Sequence, residues 1–126
     1  MRIGTDIVEV DRIKRLISDL GMAFLQRVFT DQEIDQIDAQ NPDYERASGF
    51  WAAKESMVKA IGLGFRNGIR FHDMDIHHDE YGCPHFIFSG QLKEVITEMD
   101  ISDISMSISH CRTHAIAVVA MTSKNS

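Results

Sequence analysis

Four ionisable side chains sit where an ordinary core would not put them. The stretch 43–61 carries Tyr44, Ala47, Phe50, Trp51, Met57, Val58 and Ile61 at helical spacing, so that they form one apolar arc. Lys54 falls inside that arc, and Glu55 sits at its edge, one turn from both Trp51 and Lys59. Burying an unpaired charge is costly, so such groups need partners. Two readings are open. Either Lys54 snorkels and Glu55 pairs with Lys59 along the helix, or a carboxylate and amines are aimed into a cleft.

Asp6 is the fourth. It lies in an alternating, β-branched run over residues 2–10, on the face shared by Gly4, Val8 and Val10, where aspartate is disfavoured. A strand-end carboxylate bonded to backbone accounts for it; so does a pairing with Glu55 if the helix packs on this strand. Two carboxylate oxygens plus a phosphorylated substrate and waters is how Mg²⁺ is commonly held. His110 ends another apolar strand face, a place for a structural or solvent-facing imidazole as much as for a ligand. The run His72 to Asp79 has a metal-rich look. Strand alternation sends His77 and His78 to opposite faces, however, so the segment reads as solvated strand and turn.

The elements that must position these groups follow from periodicity. The strand over 2–10 leads to a short helix capped by Asp11, carrying Arg12, Ile13, Lys14, Leu16 and Ile17, and stopped near Gly21. A helical stretch from Met22 to Phe29 follows. Thr30-Asp31-Gln32-Glu33 is a capping-box pattern opening a helix toward Ala39. The long helix 43–61 lies between Pro42 and Gly62, and Gly62, Gly64 and Gly68 mark a loop. Met74–His78 and Pro84–Phe88 flank a turn as a hairpin, and Ser89 caps a helix to about Glu98. Strands at 104–110 and 115–121 complete the chain, the latter apolar on both faces and therefore central. Helices and antiparallel strands come in blocks, which gives an α+β fold with a small antiparallel sheet packed around one long central helix.

Composition narrows the function class. With 126 residues, residues 1–126 form one domain, and 44% apolar content suffices for a core. The net charge of −6 argues against a generic nucleic-acid binder, whose affinity needs clustered positive charge. Cys83 and Cys111 fit neither a metal spacing nor a disulfide framework. Asp6 interrupts the apolar run that a secretory signal needs, and no stretch approaches 18 apolar residues, so no membrane partner and a cytoplasmic setting are expected.

Three co-ordered motifs then carry a resemblance. Ile3-Gly4-Thr5-Asp6-Ile7-Val8-Glu9-Val10 followed by Arg12-Ile13, Trp51-Ala52-Ala53-Lys54-Glu55-Ser56-Met57-Val58-Lys59-Ala60, and Ser107-Ile108-Ser109-His110 resemble the signatures of holo-acyl-carrier-protein synthases, the small phosphopantetheinyl transferases. The linking segments, from Phe71-His72-Asp73 through Cys83-Pro84 to Ser89-Gly90, are similar too. Two departures stand out. Relatives commonly read Gly-Arg-aromatic where this chain has Gly49-Phe50-Trp51, and Gly-Thr-Gly where it has Gly62-Leu63-Gly64.

The resemblance implies transfer of 4′-phosphopantetheine from coenzyme A to a serine of apo acyl carrier protein, with adenosine 3′,5′-bisphosphate leaving. It makes Asp6 and Glu55 Mg²⁺ ligands, Glu55 and Lys59 catalytic, and Lys59, Gly62, Pro84 and His110 contacts for coenzyme A. It also implies a homotrimer with active sites between subunits, and an acidic carrier protein meeting Arg12, Lys14 and Arg15. Without the resemblance those three cations read as a solvated helix face. A non-catalytic nucleotide- or carrier-binding domain is the alternative, against which the intact Asp6, Glu55 and Lys59 speak.

Overall fold

A strand that alternates small and polar residues against a helix can approach that helix unusually closely, and this contact organises the molecule. The computed structural model describes residues 1–124. Strand β1 (Arg2–Glu9) is followed by helices α1 (Val10–Leu20), α2 (Met22–Val28), α3 (Asp31–Ile37) and α4 (Tyr44–Ile61). A single 3₁₀ turn (Phe71–Asp73) leads into β2 (Met74–His78) and β3 (Pro84–Phe88), then α5 (Gly90–Glu98), β4 (Ile101–His110) and β5 (His114–Ser123). β1, β5 and β4 form an antiparallel sheet with β5 in the centre; β2 and β3 pair as a separate hairpin. The α+β architecture built on one long helix is as expected.

Helix α4 lies across the sheet. A Cβ on Gly4 would run into the Ser56 carbonyl oxygen and stand 2.7 Å from the Ala60 amide nitrogen, so only glycine lets β1 pass the helix backbone here. Ser56 Oγ completes the junction by donating to Ala117 O of β5 at 3.0 Å. Val8, Ala115, Ala117, Phe50, Ala52 and Ala53 share one buried cluster with the α1–α3 helices, and Met57, Ile61, Val119 and Met121 share a second with α5. Asp43 caps α4 by accepting from Arg46 N at 3.0 Å, and Gly62 ends it in the left-handed conformation at φ 88°.

Several expectations need correction. Helix α1 begins at Val10, one residue before Asp11, which sits in its first turn instead of capping it. Helix α3 stops at Ile37, because Asp38 turns to a positive φ of 70°. Ser89 occupies the N-cap position of α5 without a side-chain bond; the buried Asp73 carboxylate accepts from Leu92 N instead, at 3.3 Å. β5 is central, yet only one of its faces is covered: Ile116 and Val118 point outward and are exposed.

Candidate active site

The phase of β1 places Asp6 on the same face as Gly4 and Val8, toward α4, where Glu55 and Lys59 are one turn apart. The Lys59 ammonium donates to Asp6 Oδ1 at 2.8 Å and to Thr5 O at 3.1 Å. Glu55 is half-buried beside them. Burial pushes its carboxyl pKa up, the Asp6 charge pushes it further, and Lys59 and Arg12 oppose the rise. Lys59 is thus drawn across to β1 and is not simply an i,i+4 partner of Glu55. Asp6, Glu55 and Lys59 form one site at the β1–α4 junction, with Arg12 at its edge.

Lys54 does neither of the things its position on the arc allowed. It is fully buried and does not snorkel; it points away from the cleft, and its ammonium donates to Glu33 Oε1 at 2.7 Å, Val28 O at 2.9 Å and Phe71 O at 3.2 Å. Desolvation lowers its pKa, and Glu33 works against that fall. Glu33 is the capping-box residue of α3, and it also accepts from Thr30 N and Ile76 N. All three ammonium protons and both carboxylate oxygens are therefore used, which a buried pair requires.

The remaining candidates lie elsewhere. Pro84 and His110 line a cleft of about 250 Å³ together with Arg46, Phe50 and His78. His110 Nδ1 meets Glu45 Oε1 at 2.9 Å, and the Phe50 ring, itself buried, lies 6.0 Å from His78. Glu45 and Lys59 are separated by about 20 Å along α4, at 1.5 Å per residue. One chain therefore does not bring Pro84 and His110 to Lys59. Gly62 caps the far end of α4, beside Arg2, whose guanidinium donates to Ile61 O at 3.2 Å.

On α1 the three cations face solvent while Val10, Ile13 and Ile17 are buried. The Arg12 guanidinium lies 5.8 Å over Trp51, and Lys14 Nζ lies 5.5 Å over Tyr44, so both reach α4 aromatics. Arg15 lines a shallow depression with Arg12, Glu9 and His114. In the hairpin, His77 pairs with Asp75 at 2.7 Å, and Asp75 also accepts from Thr30 and Gln32. Among the described residues no cluster of three or more His, Cys, Asp or Glu could hold a metal ion. Glu45 and Arg46, which shape the His110 cleft, were not singled out in the sequence, and His78 was read there only as part of a solvated strand and turn. Arg46 stands one helical turn before Phe50, a spacing that could have flagged it; no local pattern links Glu45 or His78 to the cleft.

The family model of the 4′-phosphopantetheinyl transferase superfamily matches residues 2–119. A holo-[acyl-carrier-protein] synthase of Thermoanaerobacter sp. (strain X514) is 42% identical over 115 residues, covering 91% of this chain and 82% of that one. The holo-[acyl-carrier-protein] synthase of Vibrio cholerae serotype O1 is 37% identical over 119 residues, 94% of each chain. Among solved structures, the Helicobacter pylori synthase in complex with coenzyme A superposes with a TM-score of 0.84 at 32% identity, over 95% of this chain and 99% of that one. The Neisseria meningitidis synthase gives a TM-score of 0.87 at 34% identity, over 96% and 97%. In fold, in length and in the order of its motifs, the chain belongs to the 4′-phosphopantetheinyl transferase superfamily, among the holo-[acyl-carrier-protein] synthases.

Proposed function

We propose that this chain transfers the 4′-phosphopantetheine group of coenzyme A to a serine hydroxyl of an apo acyl carrier protein, releasing adenosine 3′,5′-bisphosphate. The observation that carries the reading is the meeting of Asp6, Glu55 and Lys59 at the β1–α4 junction in a chain of this family. The serine oxygen bonds to the phosphorus on the pantetheine side as the bridging P–O bond to the adenosine bisphosphate breaks. Glu55, its proton affinity raised by burial and by Asp6, takes the serine proton. Lys59 exchanges Asp6 for the phosphoryl oxygens and offsets the charge that builds there.

Asp6 and Glu55 are hard oxygen donors crowded at one spot, which suits Mg²⁺ completed by phosphate oxygens and waters. Bound there, the ion would supply charge neutralisation at the pyrophosphate. The raised carboxyl of Glu55 fits this, since two neighbouring carboxylates gain a shared counter-charge.

The site is shared between subunits of a homotrimer, with coenzyme A reaching from Lys59 and Gly62 of one subunit to Pro84 and His110 of another. The separation of those groups along α4 supports this. So does the bare outer face of the sheet: Ile3 and Ile7 are 60% and 66% exposed and lie in register beside Ala120 and Ile116. Such a contiguous apolar surface favours a protein contact. The carrier protein meets Arg12, Lys14 and Arg15. We place the reaction in the cytoplasm, with the family's carrier-protein chemistry; no helix among the described residues is long and apolar enough to cross a membrane. Incubation with apo carrier protein and coenzyme A tests the reading. Adenosine 3′,5′-bisphosphate should appear in Mg²⁺ and not after chelation; its absence under both conditions would refute transfer.

A further inference from the structure

An acidic chain gains little from clustering cations unless something anionic meets them, and one such cluster lies outside the site. Arg27 at the end of α2 and Arg70 and His72 before β2 line a groove of about 460 Å³ floored by Phe65 and Phe71, and no acidic residue lines it. Phe65 and Phe71 meet at 4.0 Å between ring centroids with their planes tilted by 35°, and Phe65 stays partly exposed. The imidazole of His72 is held at Phe29 O, 3.1 Å away, and at the Arg70 guanidinium, 3.4 Å away. This fixes the orientation of the cationic wall.

Ring contacts link the floor of the groove to the edge of the β1–α4 site. Phe71 lies 5.5 Å from Trp51, and Trp51 lies under the Arg12 guanidinium, which in turn bears on Glu55. Phe71 is also pinned from beneath by Lys54, which holds its carbonyl. Trp51 and Phe71 thus stand in contact between Arg12 at one end and the groove of Arg27 and Arg70 at the other.

We propose that Arg27 and Arg70 with the Phe65–Phe71 floor form a second docking surface for the carrier protein, continuing from Arg12. The inference rests on the transfer reading. The fitting occupant is an acidic protein face that sets carboxylates against the two guanidiniums and an apolar side chain between them on Phe65. Guanidiniums suit this because they present several donors in a plane to carboxylate oxygens.

The test is R27E/R70E, alongside R27Q/R70Q as the milder variant and thermal melting as a check on folding. Apo carrier protein is titrated onto each protein, and steady-state transfer is followed with coenzyme A and carrier protein varied in turn. The expected result is a rise of about tenfold or more in KM for carrier protein and in its Kd, with kcat and KM for coenzyme A unchanged and a shallower salt dependence. An unchanged carrier KM and Kd in folded R27E/R70E would overturn the proposal, as would a matching rise in KM for coenzyme A. If the parent chain binds carrier protein but never modifies it, the transfer reading fails and the docking surface stands or falls on the titration alone.

Discussion

Lys59 reaches from α4 to Asp6 on β1 across 2.8 Å, and so neutralises one of two neighbouring carboxylates while leaving the other, Glu55, with a raised pKa. The free site thus holds one carboxylate paired with an ammonium and one, Glu55, whose affinity for a proton is raised. Asp6 and Glu55 would hold a divalent ion that supplies charge neutralisation between them, and Lys59 would turn from Asp6 to a substrate phosphate.

Glu55→Gln should lower turnover by about 100-fold or more, the scale of losing one preorganised electrostatic group. Its effect on stability should run the other way. Because the folded pKa of Glu55 lies above its unfolded value, the contribution is present below the unfolded value and lost as pH rises through the folded one. The variant should therefore melt higher than the parent at neutral pH without metal, and the gain should vanish in acid. Mg²⁺ should raise the melting temperature of the parent and not of the variant. Steady-state kinetics check the loss of turnover, and melting curves across pH, with and without Mg²⁺, check the rest.

Lys54→Met should destabilise the fold by about 3–5 kcal/mol, because it leaves the buried Glu33 carboxylate uncompensated. Adding Glu33→Gln should recover part of that loss, since the stranded charge is removed. Urea unfolding of the single and double variants measures it; an additive double variant would contradict the pairing.

Val118→Glu places a charge in the middle of the bare face formed by β1 and β5, beside its register partner Thr5. The folded chain should then run as a monomer by light scattering and lose transfer activity. A fully active monomer would contradict the shared site.

Phe50→Arg should cost about 2–3 kcal/mol, the transfer free energy of a buried ring, since Phe50 packs with Ala52, Ala53 and Ile76 beneath the His110 cleft. Turnover should change little in whatever fraction stays folded. Denaturation curves with kinetics separate the two effects.

The legible part of the site was the part set by local period. Alternation in β1 put Asp6 on the helix-facing side with Gly4, and the 3.6-residue period of α4 put Glu55 and Lys59 at the edge of its apolar arc. Lys54 was visible as an anomaly, yet its partner Glu33 was not, because the pair spans 21 residues and depends on how α3 docks. His110 and Glu45 are 65 residues apart, so no periodicity links them. The outward side of β5 was only half legible: strand 115–121 read as apolar on both faces, and composition alone does not tell an inward apolar face from the exposed one that carries Ile116 and Val118.

The most direct measurement is the intact mass of the carrier protein after incubation with this chain, coenzyme A and Mg²⁺. The account predicts a gain of one phosphopantetheine per carrier protein, absent when the acceptor serine is replaced by alanine. A carrier protein that binds the chain and keeps its original mass would contradict it.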